Sequence, residues 1–200
     1  MQELEKFLAE NIQIALTITG VEAIKFFQEL IDTQKDAQGQ PFEKRTHTLR
    51  RQQGKKILKD RNTLYDAIQV LDTDLNQKTT KIGFSDAEAP YGKYHNEGTE
   101  ITVSARMKKF FFAQYYKASG KVKETEKGKR SRSRENLTLE ADAQFWFNMA
   151  LKPVGSTIII PKRQFIVDDH PELKQRIEDT VKQVIEERTA KFLNDQNIKL

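Results

Sequence analysis

The chain has no cysteine, which excludes disulfides, thiolate nucleophiles and cysteine-ligated zinc. Its 9 glycines are dispersed and form neither a G-x-G-x-x-G nor a P-loop pattern, so no phosphate-cradling loop is expected. Histidine is scarce: His47, His95 and His170 lie far apart without a His-x-x-x-His spacing, so no metal centre is expected. Asp168-Asp169-His170 before Pro171 reads as a helix start rather than an ion site. No serine sits in a nucleophile elbow, and neither catalysis nor a cofactor is expected. No apolar run approaches the ~18 residues of a membrane span. Met1-Gln2-Glu3-Leu4-Glu5-Lys6 has neither the basic nor the apolar stretch of a secretory signal, so a soluble, cytoplasmic protein is expected.

Apolar residues are also few. They make up 37 %, tyrosine included, and exchanging Tyr for Gly in the count gives about 39 %, against roughly 45–50 % in globular chains. Charged residues reach 32 %, above the usual ~25 %. The composition predicts a modest core with much of the chain at a surface, in a loop or between subunits. The net charge of +5 is concentrated between Ser119 and Asn136. There Lys121, Lys123, Lys127, Lys129, Arg130, Arg132 and Arg134 outweigh Glu124, Glu126 and Glu135.

What is present predicts one α+β domain over 1–200: a small, mostly antiparallel sheet packed by N- and C-terminal helices, with an inserted aromatic helical hairpin. Leu4, Phe7, Leu8, Ile12 and Leu16 have helical spacing to about Ile18, although Ile12, Ile14, Leu16 and Ile18 also alternate as a strand would. Thr19-Gly20-Val21-Glu22 reads as a capping box opening a second helix with Ile24, Phe27 and Ile31 on one face. Asp32 to Gln40 is a loop. Phe42 to Lys59 is expected to be helical, with Leu49 and Ile57 inward. A turn at Asp60 to Asn62 leads to a strand beginning with Leu64, Ile68 and Val70, paired in a hairpin with Thr80, Ile82 and Phe84.

Pro90 and Gly98 bracket a short helix. Ile101 and Val103 supply a third strand and Thr157 to Ile160 a fourth. Pro171 starts a last helix whose stripe is Leu173, Ile177, Val181, Val184, Ile185 and Phe192. Between strands three and four, residues 104–153 form an insertion. In it the aromatic-rich helices Met107 to Tyr116 and Leu139 to Leu151 bracket a mobile basic loop at 119–136. Phe110, Phe111 and Phe112 sweep roughly 200° of helix surface, an arc that needs cover on more than one side. Phe145, Trp146 and Phe147 have the same property.

Three islands stand out. His95 and Glu97, in Tyr91-Gly92-Lys93-Tyr94-His95-Asn96-Glu97-Gly98, suggest an acid–base pair, but on a helix they point about 200° apart. The residues read instead as a capped helix anchored by Tyr91 and His95. Leu58-Lys59-Asp60-Arg61-Asn62-Thr63-Leu64 reads as a turn, with Asn62 in the left-handed region. In Ile160-Pro161-Lys162-Arg163-Gln164-Phe165, Arg163 suits either bidentate contact with a carboxylate across an interface or a surface position beside a buried Phe165.

In this order the islands resemble the tailed-bacteriophage virion morphogenesis proteins, the Mu-like tail-completion family. Leu58, Asp60 and Leu64 match its Leu-x-Asp-Thr-Gly-x-Leu turn, with Arg61 in place of Thr and Asn62 in place of Gly. Tyr91, His95 and Gly98 match Tyr-Ala-x-x-His-Gln-x-Gly, with Gly92 for Ala and Asn96 for Gln. Ile160, Pro161, Arg163 and Phe165 match Ile-Pro-Ala-Arg-Pro-Phe. The 104–153 insertion is absent from the family's short pattern.

The resemblance implies structural roles for these residues. It also implies a protein that completes the tail or joins tail to head, acting as a ring, often six-fold, that binds the tail tube and head–neck proteins. The expected location is the host cytoplasm during assembly and then the virion tail or neck. On that reading Phe111, Tyr115, Phe145 and Trp146 would meet neighbouring subunits, and the seven loop cations would face passing DNA. The alternative is a nucleic-acid-binding protein that uses the same loop to neutralise phosphates.

Overall fold

The computed structural model describes residues 2–45, 54–59, 61–85, 87–123, 131 and 133–195. The first element is a single helix, α1 (Gln2–Thr33), where two were expected. The residues taken for a capping box continue it. The Thr19 hydroxyl donates back to the Ala15 carbonyl at 2.8 Å, as Thr17 does to Gln13, so no hydroxyl is left to cap a new start. Gly20 costs about 1 kcal/mol of helix propensity. A methyl there would come within 2.7 Å of Val70 Cγ2, so the bare backbone is what lets the first strand lie against α1.

The stretch after α1 is not helical where it is described. Gln34, in the left-handed region, turns the chain back on itself, and Lys35 pairs with Pro41. The Gln34 side chain then holds Ile57 from both sides, accepting from its N–H at 2.6 Å and donating to its carbonyl at 2.9 Å. Leu49 and Asp60 lie outside the described residues. Leu64 begins no strand. It is buried in the one-turn helix α2 (Thr63–Asp66), which leads into β1 (Ile68–Asp74).

β1 pairs antiparallel with β2 (Thr79–Phe84), with a bulge between Val70 and Asp72. α3 (Gly92–Glu97) ends at Gly98, whose φ of 75° suits glycine. β3 (Thr99–Thr102) pairs antiparallel with β4 (Thr157–Ile160). The four strands form two separate two-stranded sheets rather than one. Between β3 and β4 stand α4 (Ala105–Ser119) and α5 (Arg134–Leu151), packed against each other, with Ser104 and Ser133 capping their N-termini.

α6 (Pro171–Asp195) has Pro at its first position and returns along α1. Phe7 stacks on Phe192 at 4.3 Å, and Arg188 reaches Asn11 and Glu10. Leu173 is the one buried residue of α6. The main core gathers Phe26, Phe27 and Ile31 of α1 with Phe42, Leu64, Ile68, Phe165 and Leu173. A smaller core of Phe111, Met149 and Ala150 lies within the hairpin.

Candidate functional site

The second and third islands meet. β3 follows directly from α3 and pairs with β4, so Thr99 lies opposite Ile160 and the chain after Pro161 runs back past α3. The Arg163 N–H donates to the His95 carbonyl at 2.9 Å. Asn96 Oδ1 accepts from the N–H groups of both Phe165 (3.0 Å) and Ile166 (2.9 Å), while its Nδ2 donates to the Ile166 carbonyl at 3.0 Å. A methyl on Gly98 would come within 2.9 Å of the Lys162 backbone nitrogen. Phe165, fully buried, meets Phe84 and Phe42 edge-on. Gly92 lies against the Phe84 ring so closely that an added methyl would stand 2.6 Å from it.

The first island joins the same core through Leu64, with Leu58 packed beside it. Leu58 and Asn62 both take positive φ. For Asn62 this is the turn expected; for Leu58 it is a conformation that leucine adopts only under constraint. Lys59 supplies constraint here. It pairs with Asp32 at the end of α1 and lies 4.0 Å over the Tyr65 ring, and the Tyr65 hydroxyl donates to Asp32 at 3.2 Å. The Lys59 hydrogen bond holds the Asp32 carboxyl below its ordinary value against the smaller opposing effect of burial.

Arg163 is not a surface residue, and among the described residues it is paired with no carboxylate. It is 3 % exposed, and its Nε and Nη2 both donate to the Glu43 backbone carbonyl, at 3.1 and 2.9 Å. The fork thus ties the end of the Lys35–Pro41 turn region to the third island. Burial lowers its pKa from the ordinary value. His95 sits close by, and burial, then the charges of Arg163 and Arg45, pull its pKa down to about 4. It is therefore neutral at pH 7. Its Nδ1 is buried with no hydrogen-bond partner, and Tyr91 meets its ring edge-on at 6.0 Å. No hydrogen bond or ion pair joins His95 to Glu97 among the described residues. The junction holds backbone segments in place.

In the hairpin, Phe111 is buried among Met149, Ala150 and a stacked Trp146, so it has little surface left for a neighbouring subunit. Tyr115, Phe145 and Trp146 are half-buried. Tyr115 lies against Phe147, and Phe145 lies edge-on to Trp146. The aromatics that face outward are Phe110 (52 % exposed) and Tyr116 (66 %). Three successive phenylalanines left the phase of α4 open. Its packing against α5 sets it.

Of the seven loop cations, Lys121, Lys123 and Arg134 are described, and Lys127, Lys129, Arg130 and Arg132 lie outside the described residues. The loop's neck is closed by Asn136, a residue that the basic pattern did not single out. Its Oδ1 accepts from the Lys123 N–H at 2.7 Å, and its Nδ2 donates to the carbonyls of Lys123 and Ser131. The Ser131 N–H also donates to the Lys123 carbonyl at 3.0 Å. For Asn96 the signals were its place in the second island, where it stands for Gln, and its polarity inside a short helix; for Asn136 the signal was only a polar residue just inside a helix start.

Among the described residues no three His, Asp or Glu side chains gather as a metal cluster, and no helix is long and apolar enough to cross a membrane. Compared with protein families, curated proteins and solved structures, the chain finds no significant match in any of the three.

Proposed function

We propose that this chain is a structural protein of bacteriophage virion assembly that completes the tail or joins tail to head, forming a ring and acting by binding rather than catalysis. The observation that carries this reading is where the shared motif residues go. In the family's order, Leu64, then His95 and Gly98, then Ile160, Arg163 and Phe165 all serve one junction of backbone clamps and core packing. A motif set used this way preserves a shape, which is what an assembly protein must present to its neighbours.

Exposed apolar side chains support self-association. The outward faces of the hairpin, at Phe110 and Tyr116, are apolar surface for neighbouring subunits to bury. The cations of 119–136 would contact DNA in transit. The working location is the bacterial cytoplasm during assembly, then the virion tail or neck.

The test is electron microscopy of particles made after deleting the gene from its phage or prophage. Filled heads beside unattached or over-long tails are expected. Complete virions would overturn the reading. The next measurement would then be the salt dependence of DNA binding with and without residues 119–136.

A further inference from the structure

Among the described strands, β4 is the one with no charge, bulge or proline within it. The Val103 N–H donates to the Ser156 carbonyl at 2.8 Å. With the register Thr102 opposite Thr157 and Thr99 opposite Ile160, the hydrogen-bonded positions on β4 are Ile158 and Ile160. The N–H and C=O groups of Thr157 and Ile159 therefore turn away from β3, and no further strand takes them among the described residues.

Edge strands are normally blunted by charge, a bulge or proline. β1 has the bulge before Asp72, and the Asp72 carboxylate takes the Thr73 N–H at 2.9 Å. β2 carries Lys81 and β3 carries Glu100. The Thr-Ile-Ile-Ile of β4 has none of these, and Ile159 is 63 % exposed.

We infer that β4 pairs antiparallel with β4 of a second copy of this chain, joining two two-stranded sheets into one of four. Elimination points to β4 as its own partner, since the other three strands among the described residues have blunted edges. The strand is also self-complementary. With the two-fold axis at Ile158, Thr157 of each copy lies opposite Ile159 of the other, and all their outward groups are satisfied by four hydrogen bonds between the chains.

The same register places Pro161, which has no N–H, opposite Gly155, whose N–H is already used by the Val103 carbonyl at 2.9 Å. Lys162 falls opposite Val154, so no like charges meet. Four residues of strand cover less than the ~800 Å² per partner of a standard interface. The exposed Leu151 and Val154 beside the strand extend it. This contact closes on two copies and so goes beyond the ring, which needs a different, head-to-tail surface.

The experiment uses the full chain. Sedimentation equilibrium should show a reversible dimer with a Kd below about 1 mM. Ile159→Pro removes one outward N–H from each copy and leaves the β3 ladder intact, and it should weaken the dimer by about tenfold or more. In the cysteine-free chain, Ile158→Cys should form a disulfide dimer under mild oxidation. Directly opposed, non-hydrogen-bonded residues bring their Cα atoms to about 4.5 Å, within disulfide range. Glu100→Cys should not cross-link.

A monomer at all concentrations would overturn the inference, as would a dimer insensitive to Ile159→Pro. Loss of the dimer without cross-linking of Ile158→Cys would mean that β4 takes some other strand, and would overturn it too. Should Ile159→Pro fail to fold, the cysteine result alone decides. None of these outcomes depends on the particle phenotype.

Discussion

Asn96 holds the backbone of Phe165 and Ile166 with three hydrogen bonds, although about seventy residues of chain separate them. One side-chain amide thus fastens the helix of the second island to the third. In Asn96→Ala two backbone N–H groups and a carbonyl lose their partner. Stability should fall by about 2–4 kcal/mol, read as a lower urea midpoint at unchanged slope. A loss below about 0.5 kcal/mol would mean that water replaces the amide and that the clasp is not what fixes this segment.

His95 gives the fold an acid-sensitive point. Its folded pKa of about 4 lies below the ordinary 6.5, so the unfolded chain takes up the proton first as pH falls. The stability is fully present above pH 6.5 and is lost between 6.5 and about 4, amounting to about 3 kcal/mol. The lowered Asp32 pKa acts only at lower pH, below its ordinary 3.8. Urea midpoints at pH 7 and pH 4.5 should differ markedly in the native chain and much less in His95→Gln. Equal pH dependence in both would remove His95 as the cause.

Gly92 and Phe84 form a contact with no room for a methyl. An Ala in place of Gly normally stabilises a helix by roughly 1 kcal/mol. Here Gly92→Ala should destabilise by about 1–3 kcal/mol from overpacking, and combining it with Phe84→Leu should recover part of the loss. Thermal melts of the two single variants and the double variant measure the coupling. Strict additivity would show that the ring moves aside freely.

Trp146 is the one tryptophan of the chain and stacks on Phe111, so its fluorescence reports on the hairpin core alone. Phe111→Ala should destabilise that core by about 3 kcal/mol and shift the emission to longer wavelength at lower denaturant than the loss of helical circular dichroism. Phe110→Ala, half-exposed and edge-on to Trp146, should lower the emission midpoint by clearly less, about 1 kcal/mol. Equal effects of the two substitutions would contradict the phase of α4 described above.

Local signals were legible where a residue's own chemistry decides its conformation. Asn62 turns the chain, Gly98 ends α3, Pro171 starts α6, and the β-branched run Thr157 to Ile160 is β4 to the residue. The antiparallel hairpin of β1 and β2 and the two helices of the insertion followed from periodicity alone. Expectations failed where a distant partner offset a local preference. Thr19 and Gly20 would break a helix in isolation, but α1 runs through them because the hydroxyl bonds backwards and Val70 fills the space beside the glycine. Leu64 had strand-like neighbours and joined a helical turn because the core beneath it includes Phe165, a hundred residues away.

By itself, then, the sequence determined the α+β class, the order of most elements, the cysteine-free chemistry and the concentration of charge at 119–136. Each of these depends on composition or on spacing within a few residues. Only the tertiary structure decided that the second and third islands are one junction, that Arg163 is buried on a backbone carbonyl, that Phe111 faces inward, and that β4 keeps an open edge. Those outcomes depend on which segments come together across the fold, and a buried fork, a clasping amide or a free strand edge leaves no periodic trace along the chain.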